Sequence, residues 1–159
     1  MSFRLRRVVT GHDKTGRAIV LHDEIAKEVT ASRPGANACV VWTSEGFPVN
    51  NDGSSDDATR KTGTTLANGT VFRVVQFNPG VSPRNHRTDS IDYAVVMSGE
   101  IDMDLDDGVS VHLRAGDVLV QRGTIHNWIN RGTEPCVIAF TLIAAKPVTA
   151  GGKTLAAQN

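Results

Sequence analysis

Short strand-like runs separated by turn residues fill residues 71–145, and they constrain the fold of this chain more than any other feature. In one of these runs, Ile101, Met103 and Leu105 alternate with aspartates, and an Asp-Gly pair follows. A period of two places successive side chains on opposite faces of a strand, so the apolar set faces a core and the aspartates face water. An Asp-Gly pair between two such runs predicts a hairpin turn. The pattern predicts an all-β fold, either a sandwich or a barrel.

The sequence divides into three segments around this region. Residues 1–70 form an N-terminal extension of strands and loops, in which residues 46–70 are rich in Gly, Asn, Asp, Ser and Thr and predict a long irregular loop. This extension is predicted to serve as a dimer contact or a lid. Residues 71–145 hold the short strands of the predicted sandwich or barrel, and residues 146–159 are expected to be a loose C-terminal tail. Helical spacing is confined to residues 22–29, which predicts at most a turn or two of helix.

Composition narrows the function classes. Seventeen basic residues balance seventeen acidic residues, so net charge gives no attraction to nucleic acid or to an anionic membrane. No apolar run approaches the roughly 20 residues needed to span a bilayer, and none of signal-peptide length follows the basic N-terminus. We therefore expect a cytoplasmic protein with a small-molecule partner. Cys39 and Cys136 each lie in an apolar run, which favours two buried free thiols over a disulfide.

One polar stripe interrupts the apolar pattern. If the chain is extended from residue 85, then His86, Thr88 and Asp92 are separated by even steps and share one face. A polar face that points into a barrel needs a ligand, a metal or ordered water as its partner. His126 follows forty residues after His86. Two hairpins between them would allow these side chains to converge.

The stretch from residue 80 to residue 130 resembles the two signature motifs of the cupin family. The first motif has glycine, His-x-His, an acidic residue and glycine at fixed spacing, and the matching positions here are Gly80, His86, Thr88, Asp92 and Gly99. The second has glycine, proline, glycine, histidine and asparagine, and the matching positions are Gly116, Gln121, Gly123, His126 and Asn130. The resemblance implies a double-stranded β-helix, the jelly-roll barrel of that family.

Cupins commonly bind a divalent metal through two histidines and a glutamate of the first motif and a histidine of the second. Here Thr88 replaces one histidine and Asp92 replaces the glutamate, so the metal ligands implied by the resemblance are His86, Asp92 and His126. Two imidazoles and one carboxylate have the composition of a non-haem iron site, and zinc accepts the same donors. Iron, manganese, nickel and zinc therefore all stay open, and so does a cavity without metal.

Other side chains are expected around this centre. Thr88 either hydrogen-bonds a metal-bound water or packs through its methyl group. Arg84, two residues before His86, would reach the mouth of the cavity and bind an anionic group, unless it is a surface charge. Apolar walls are predicted from Phe72, Trp128 and Phe140.

These features predict a metal-dependent cupin enzyme that acts on a small aromatic or carboxylated molecule. A dioxygenase-type oxidoreductase is favoured over a decarboxylase or an isomerase, because three ligands leave more open positions on a metal than four. No catalytic residue beyond the metal ligands is assigned. The alternative is a cupin that binds or senses a small molecule without turnover. A homodimer is expected, because the open edges of such a barrel need cover and the N-terminal strands can supply it.

Overall fold

The computed structural model describes residues 3–159, and nearly all of its regular structure is β-strand. This confirms the predicted all-β class. Two 3-10 helices, Asp57–Thr59 and Asp106–Gly108, lie between strands. The strands of the described range are β1 (Arg6–His12), β2 (Ala18–Ile25), β3 (Val29–Arg33), β4 (Ala36–Glu45), β5 (Gly69–Phe77), β6 (Ser90–Ser98), β7 (Glu100–Asp104), β8 (Ser110–Arg114), β9 (Val118–Arg122), β10 (Asn127–Ile129), β11 (Cys136–Ala144), β12 (Val148–Ala150) and β13 (Lys153–Leu155).

Two antiparallel sheets form the barrel. The larger has six strands in the order β3-β4-β5-β11-β6-β9, and the smaller has three in the order β10-β7-β8. The hydrophobic core takes its side chains from both sheets, including Val75 and Ile138 from the larger sheet and Met103 and Trp128 from the smaller. The sheets therefore face each other across this core, as in a jelly roll.

The alternation in β7 has the predicted consequence. Ile101 and Met103 are buried, whereas Asp102 and Asp104 are partly exposed and accept hydrogen bonds from Arg131. In the turn to β8, Asp107 and Gly108 both adopt positive φ, 54° and 75°. A hairpin connection of this kind favours such a pair of residues.

The N-terminal extension differs from expectation in one element. Residues 22–25 belong to β2, where His22 and Asp23 pair with Val9 and Val8 of β1, so the predicted helical turn over residues 22–29 is wrong. The Asp23–Lys27 spacing favoured a helix, but Asp23 instead accepts a hydrogen bond from Arg6 at 2.7 Å across the hairpin. Pairing between strands overrides a weak local preference.

The barrel also extends beyond residues 71–145. Strands β3 and β4 of the N-terminal segment join the larger sheet next to β5. Residues 146–159, expected as a loose tail, contain the β12–β13 hairpin, and Gln158 pairs with Arg87 beside the barrel.

Two further predictions concern single features. Cys39 and Cys136 are free and buried, as predicted. Over residues 3–159, no helix is of a length and apolarity that would let it cross a membrane.

Candidate functional site

A cavity lies between the two sheets. Its polar wall is formed by the end of β3, the centre of β5, the segment before β6, β6 itself and the residue before β10. Its apolar wall is formed by β5, β10 and β11. The polar side chains used below are Arg33, Arg73, Arg84, His86, Thr88, Asp92 and His126. The apolar ones are Phe77, Trp128 and Phe140.

His86 and His126 face each other in this cavity. Their backbones form a bridge, with the His86 N–H donating to the His126 carbonyl at 3.0 Å and the reverse bond at 2.9 Å. The ring centroids lie 4.3 Å apart. This bridge brings the two signature motifs together, as the sequence predicts.

Each imidazole has one nitrogen fixed by the backbone. His86 Nδ1 lies 3.1 Å from the Arg84 carbonyl oxygen, and His126 Nδ1 lies 3.0 Å from the Thr124 carbonyl oxygen. Because a carbonyl only accepts, each Nδ1 carries the proton and donates it. Each Nε2 is then an unprotonated donor atom available to a metal or a substrate.

The cavity keeps both imidazoles neutral. Burial lowers the pKa of His86 to about 4, and the neighbouring His126 adds to the effect. Burial also lowers the pKa of His126, and the charges of Arg84 and Arg33 act in the same direction. Neutral imidazole is the form that binds metals.

Asp92 lies on the inward face of β6 and is 5% exposed. Burial raises the pKa of its carboxyl to about 6, although a hydrogen bond from Ser90 and the charge of Arg73 oppose this shift. The Ser90 hydroxyl donates to Asp92 Oδ1 at 2.5 Å and lies 2.9 Å from the Thr88 hydroxyl. Asp92 can therefore hold or release a proton close to neutral pH.

The donor set suits a divalent metal in its chemistry, but its three members do not converge. In the described residues 3–159, donor atoms of three such side chains come together elsewhere, at His22, Glu24 and Asp56. Their donor atoms all lie within 4.8 Å of one another. By contrast, His86, Asp92 and His126 line one cavity, but their donor atoms do not all lie within 4.8 Å of one another. Aspartate is one methylene shorter than the glutamate usual at this position, so its carboxylate reaches less far toward the imidazoles.

The His22, Glu24 and Asp56 group lies outside the cavity and already contains a cation. Arg7, 5% exposed, donates to both Asp56 oxygens at 2.6 Å and to Glu24 at 2.5 Å. The hydrogen bond to Asp56 is the largest cause of the raised pKa of Arg7, and it also lowers the pKa of the Asp56 carboxyl. This cluster has donors that could hold a metal, but the guanidinium already supplies the positive charge there. It joins the β1–β2 hairpin to the 3-10 helix at Asp57.

The structure places most of the predicted surrounding side chains at the cavity. Thr88, Arg84, Trp128 and Phe140 all line it. Phe72 does not, and its assignment to this pocket is corrected: it is 38% exposed and lines a second cavity beside β1 and β4. On β5 the inward positions are the odd-numbered ones, so an even-numbered residue points the other way.

Two arginines of the cavity were not predicted. Arg73 lies between Val71 and Val75 on the inward face of β5. The period-two pattern of that strand could have predicted that its side chain points inward. Arg33 is the last residue of β3 and lies far from both motifs in sequence. No sequence pattern around it predicts a place in the cavity. The sheet order β3-β4-β5 brings it to the cavity.

Comparison with known proteins places the chain in a family. A family described as "Cupin domain" matches residues 73–143. The cupin-domain-containing oxidoreductase fogC of Aspergillus ruber is 36% identical over 159 residues, which cover 96% of this chain and 78% of that protein. Phomopsin biosynthesis cluster protein C' of Diaporthe leptostromiformis is 38% identical, covering 94% of this chain and 83% of that protein.

A solved structure supports the fold. The Schizosaccharomyces pombe Cnp3 cupin domain superposes with a TM-score of 0.52 at 9% identity, covering 89% of each chain. At this identity the match concerns the fold alone. The similarity to the cupin-domain-containing fogC extends over most of both chains, and the bridged motifs agree with it. The chain therefore belongs to the cupin family.

Proposed function

We propose that this chain is a cupin oxidoreductase that transforms a small molecule in the barrel cavity, with a divalent metal held by His86 and His126 and with the Asp92 carboxylate turning toward it as the third ligand. The observation that carries the proposal is the pair of neutral imidazoles, each with Nδ1 bonded to a backbone carbonyl and Nε2 left free. Relatives named cupin-domain-containing oxidoreductases support the reaction class.

A metal with open positions would supply a Lewis acid and a binding place for O₂, and a dioxygenase-type reaction uses both. The chain's own residues provide the rest. The Phe77, Trp128 and Phe140 rings, with centroids 5.6–6.5 Å apart, form an apolar wall that orients a flat substrate and limits water. Ser90 fixes Asp92 Oδ1 by its hydrogen bond. Before a metal binds, the proton of the Asp92 carboxyl leaves, as its pKa of about 6 allows near neutral pH.

The distances between the donor atoms favour a second candidate function. Because the donors of His86, Asp92 and His126 do not all lie within 4.8 Å, the same cavity also suits a metal-free cupin that binds a small molecule without turnover. In that case Asp92 and the imidazoles would form hydrogen bonds to the bound molecule.

Metal content decides between the two candidates. The protein is purified without chelator or metal-binding tag, reconstituted anaerobically with Fe(II), freed of loosely held metal and analysed for its elements. We expect close to one metal per chain in the wild type and almost none in His126→Ala. His22→Ala is the matched control, because it removes a histidine from the other donor cluster, and it is expected to retain the metal.

The opposite pattern overturns the proposal. Metal that disappears in His22→Ala but persists in His126→Ala would belong to the N-terminal cluster. No metal in any of the three proteins would favour the binding protein. Metal in the wild type and O₂ uptake that depends on His126, measured with small organic acids, would support the oxidoreductase.

A further inference from the structure

Three arginines surround the cavity from three separate parts of the chain. Arg33 comes from the end of β3, Arg73 from the centre of β5 and Arg84 from the segment before β6. Their charges affect one another: burial lowers the pKa of Arg33 and Arg73, and the charge of Arg84 lowers both further. Such a concentration of guanidinium groups around one cavity needs a physical reason, because all three residues are partly buried and buried charge is costly unless it is paired.

Within the described residues, none of the three forms a hydrogen bond or a salt bridge with a carboxylate, although Arg73 and Asp92 attract each other through their charges. Arg33 donates from Nη2 to the Trp128 carbonyl at 3.2 Å, and its Nε is buried without a hydrogen-bond partner. Arg84 donates from Nη2 to the neutral side chain of Asn159 at 2.7 Å. For Arg73, the described part of the chain supplies no hydrogen bond or ion pair. By contrast, Arg7 and Arg131 each bind two acidic side chains.

The charge of the cavity is therefore unbalanced. Three guanidiniums face a single carboxylate, Asp92, and the two histidines are neutral. Two positive charges are uncompensated when Asp92 is ionised. Burial lowers the pKa of Arg33 and Arg73, but arginine remains charged at any physiological pH. An anionic ligand would remove this imbalance.

The opposite wall restricts the kind of anion. Phe77, Trp128 and Phe140 present aromatic surface to the same cavity, and the Arg33 guanidinium lies 5.8 Å from the Phe77 ring centroid. Inorganic phosphate or sulfate would leave this surface without a partner. A molecule with a flat apolar body and one carboxylate would contact both walls, and guanidinium binds carboxylate through paired hydrogen bonds.

We propose that Arg33, Arg73 and Arg84 bind the carboxylate of an aromatic or other unsaturated organic acid, whose body lies against Phe77, Trp128 and Phe140. This inference names the substrate class for the same cavity, and its place in turnover rests on the function proposed above. The binding itself is independent of the metal.

Calorimetric titration with matched acids and amides tests the proposal. The probes are benzoate, cinnamate and indole-3-acetate, each compared with its uncharged amide, and inorganic phosphate. We expect at least one acid to bind about tenfold more tightly than its amide. Arg73→Met is expected to weaken the acid by about tenfold or more and to leave the amide unchanged. The control is Arg122→Met, an exposed arginine of β9 outside the cavity, which should bind like the wild type.

Thermal unfolding of the ligand-free proteins supplies a second readout. Because Arg73 is a partly buried charge without a hydrogen bond or a close ion pair in the described part of the chain, Arg73→Met is expected to unfold at a higher temperature than the wild type, whereas removal of a purely structural arginine would lower that temperature. Arg33→Met repeats the binding test from a different strand. Equal affinity for acid and amide, binding of phosphate alone, or no binding of any acid at millimolar concentration would overturn the proposal.

The titrations are run on chelator-treated and on metal-loaded protein. A failure of the arginine site can then be distinguished from a failure of the metal-dependent enzyme. Acid binding that needs Arg73 in a protein that never loads metal would support the arginine site and contradict the metal enzyme. Metal loading without discrimination between acid and amide would contradict the arginine site alone.

Discussion

At the scale of single residues, burial shifts two neighbouring groups of the cavity in opposite directions. The pKa of Asp92 rises from 3.8 to about 6, and that of His86 falls from 6.5 to about 4. The stability that Asp92 contributes is fully present below pH 3.8 and is lost as the pH rises through about 6. The stability that His86 contributes is fully present above pH 6.5 and is lost as the pH falls through about 4. Between pH 4 and pH 6 the two therefore oppose each other.

Asp92→Asn should remove the pH-dependent stability that the Asp92 carboxyl contributes. In chelator-treated protein, we expect the free energy of unfolding of the variant, relative to wild type, to be highest above pH 7. This difference should decline by about 2 kcal/mol as the pH falls to 4, because only the wild type gains from protonating Asp92. Urea unfolding at a series of pH values measures the difference. A difference that stays constant over this range would mean that Asp92 titrates as in the unfolded chain.

The side chains of the cavity also differ in how far the sequence could predict them. His86, Asp92 and His126 follow from motif spacing, and their presence in one cavity agrees with it. The alternation of β5 could have predicted that Arg73 points inward. Arginine is mostly a surface residue, however, so an inward arginine is not expected from residue type. Phe72 was assigned by residue type without regard to the period of β5, and the structure reverses its direction.

At the scale of secondary-structure elements, one buried asparagine joins several segments beside the cavity. Asn130 follows β10 and is 2% exposed. Its Nδ2 donates to the Phe77 carbonyl at 2.9 Å and to the Glu134 carbonyl at 2.8 Å, and its Oδ1 accepts from the Gly132 N–H at 2.9 Å. These bonds hold the turn between β10 and β11 against the end of β5. The position of Trp128 in the wall depends on this arrangement.

Replacing Asn130 with alanine should therefore destabilise the fold strongly. Asn130→Ala leaves two backbone carbonyls and one N–H without this partner, so we expect a loss of about 2–4 kcal/mol in the free energy of unfolding. Asn127→Ala is the comparison, because its Oδ1 accepts only the Arg84 N–H and its removal should cost about 1 kcal/mol. Equal losses in chemical denaturation would show that Asn130 has no special role in joining these segments.

Elements were predicted well wherever one face of a strand is buried, as in β7, and poorly at the N-terminus. The helical spacing over residues 22–29 was a local signal, whereas the pairing of β1 with β2 depends on residues distant in sequence. The contribution of β3 to the cavity wall has the same origin, since only the sheet order brings Arg33 next to the motifs. A pattern within one segment cannot contain this information.

At the scale of the whole molecule, net charge and local charge differ. The equal numbers of acidic and basic residues predict no attraction to nucleic acid or to an anionic membrane, yet the fold gathers three arginines around one carboxylate. Carboxylates elsewhere, such as Asp56 and Asp102, are paired with other arginines. Balance over the chain therefore coexists with a positive cavity.

The N-terminal hairpin is the basis of a prediction on assembly. Strands β1 and β2 form a sheet of their own, and apolar side chains on it are exposed, Val8 by 51% and Val20 by 57%. We expect a homodimer that covers this hairpin. A variant with Val8→Glu and Val20→Glu should then be monomeric by light scattering.

A control separates this surface from another apolar one. Val118 of β9 is 75% exposed, and Val118→Glu should remain dimeric. A Val118→Glu monomer beside a dimeric double variant would place the contact on β9. A monomeric wild type would rule out the homodimer altogether.

We expect the histidine pair of the cavity to be the metal centre of this protein, and one crystallographic measurement tests this most directly. Crystals of the wild type are loaded with Co²⁺, and an anomalous difference map is recorded at the cobalt absorption edge. We predict a single strong peak within about 2.0–2.3 Å of Nε2 of both His86 and His126, with the Asp92 carboxylate turned toward it. A peak at His22, Glu24 and Asp56 with none in the cavity, or no ordered peak at all, would contradict the account.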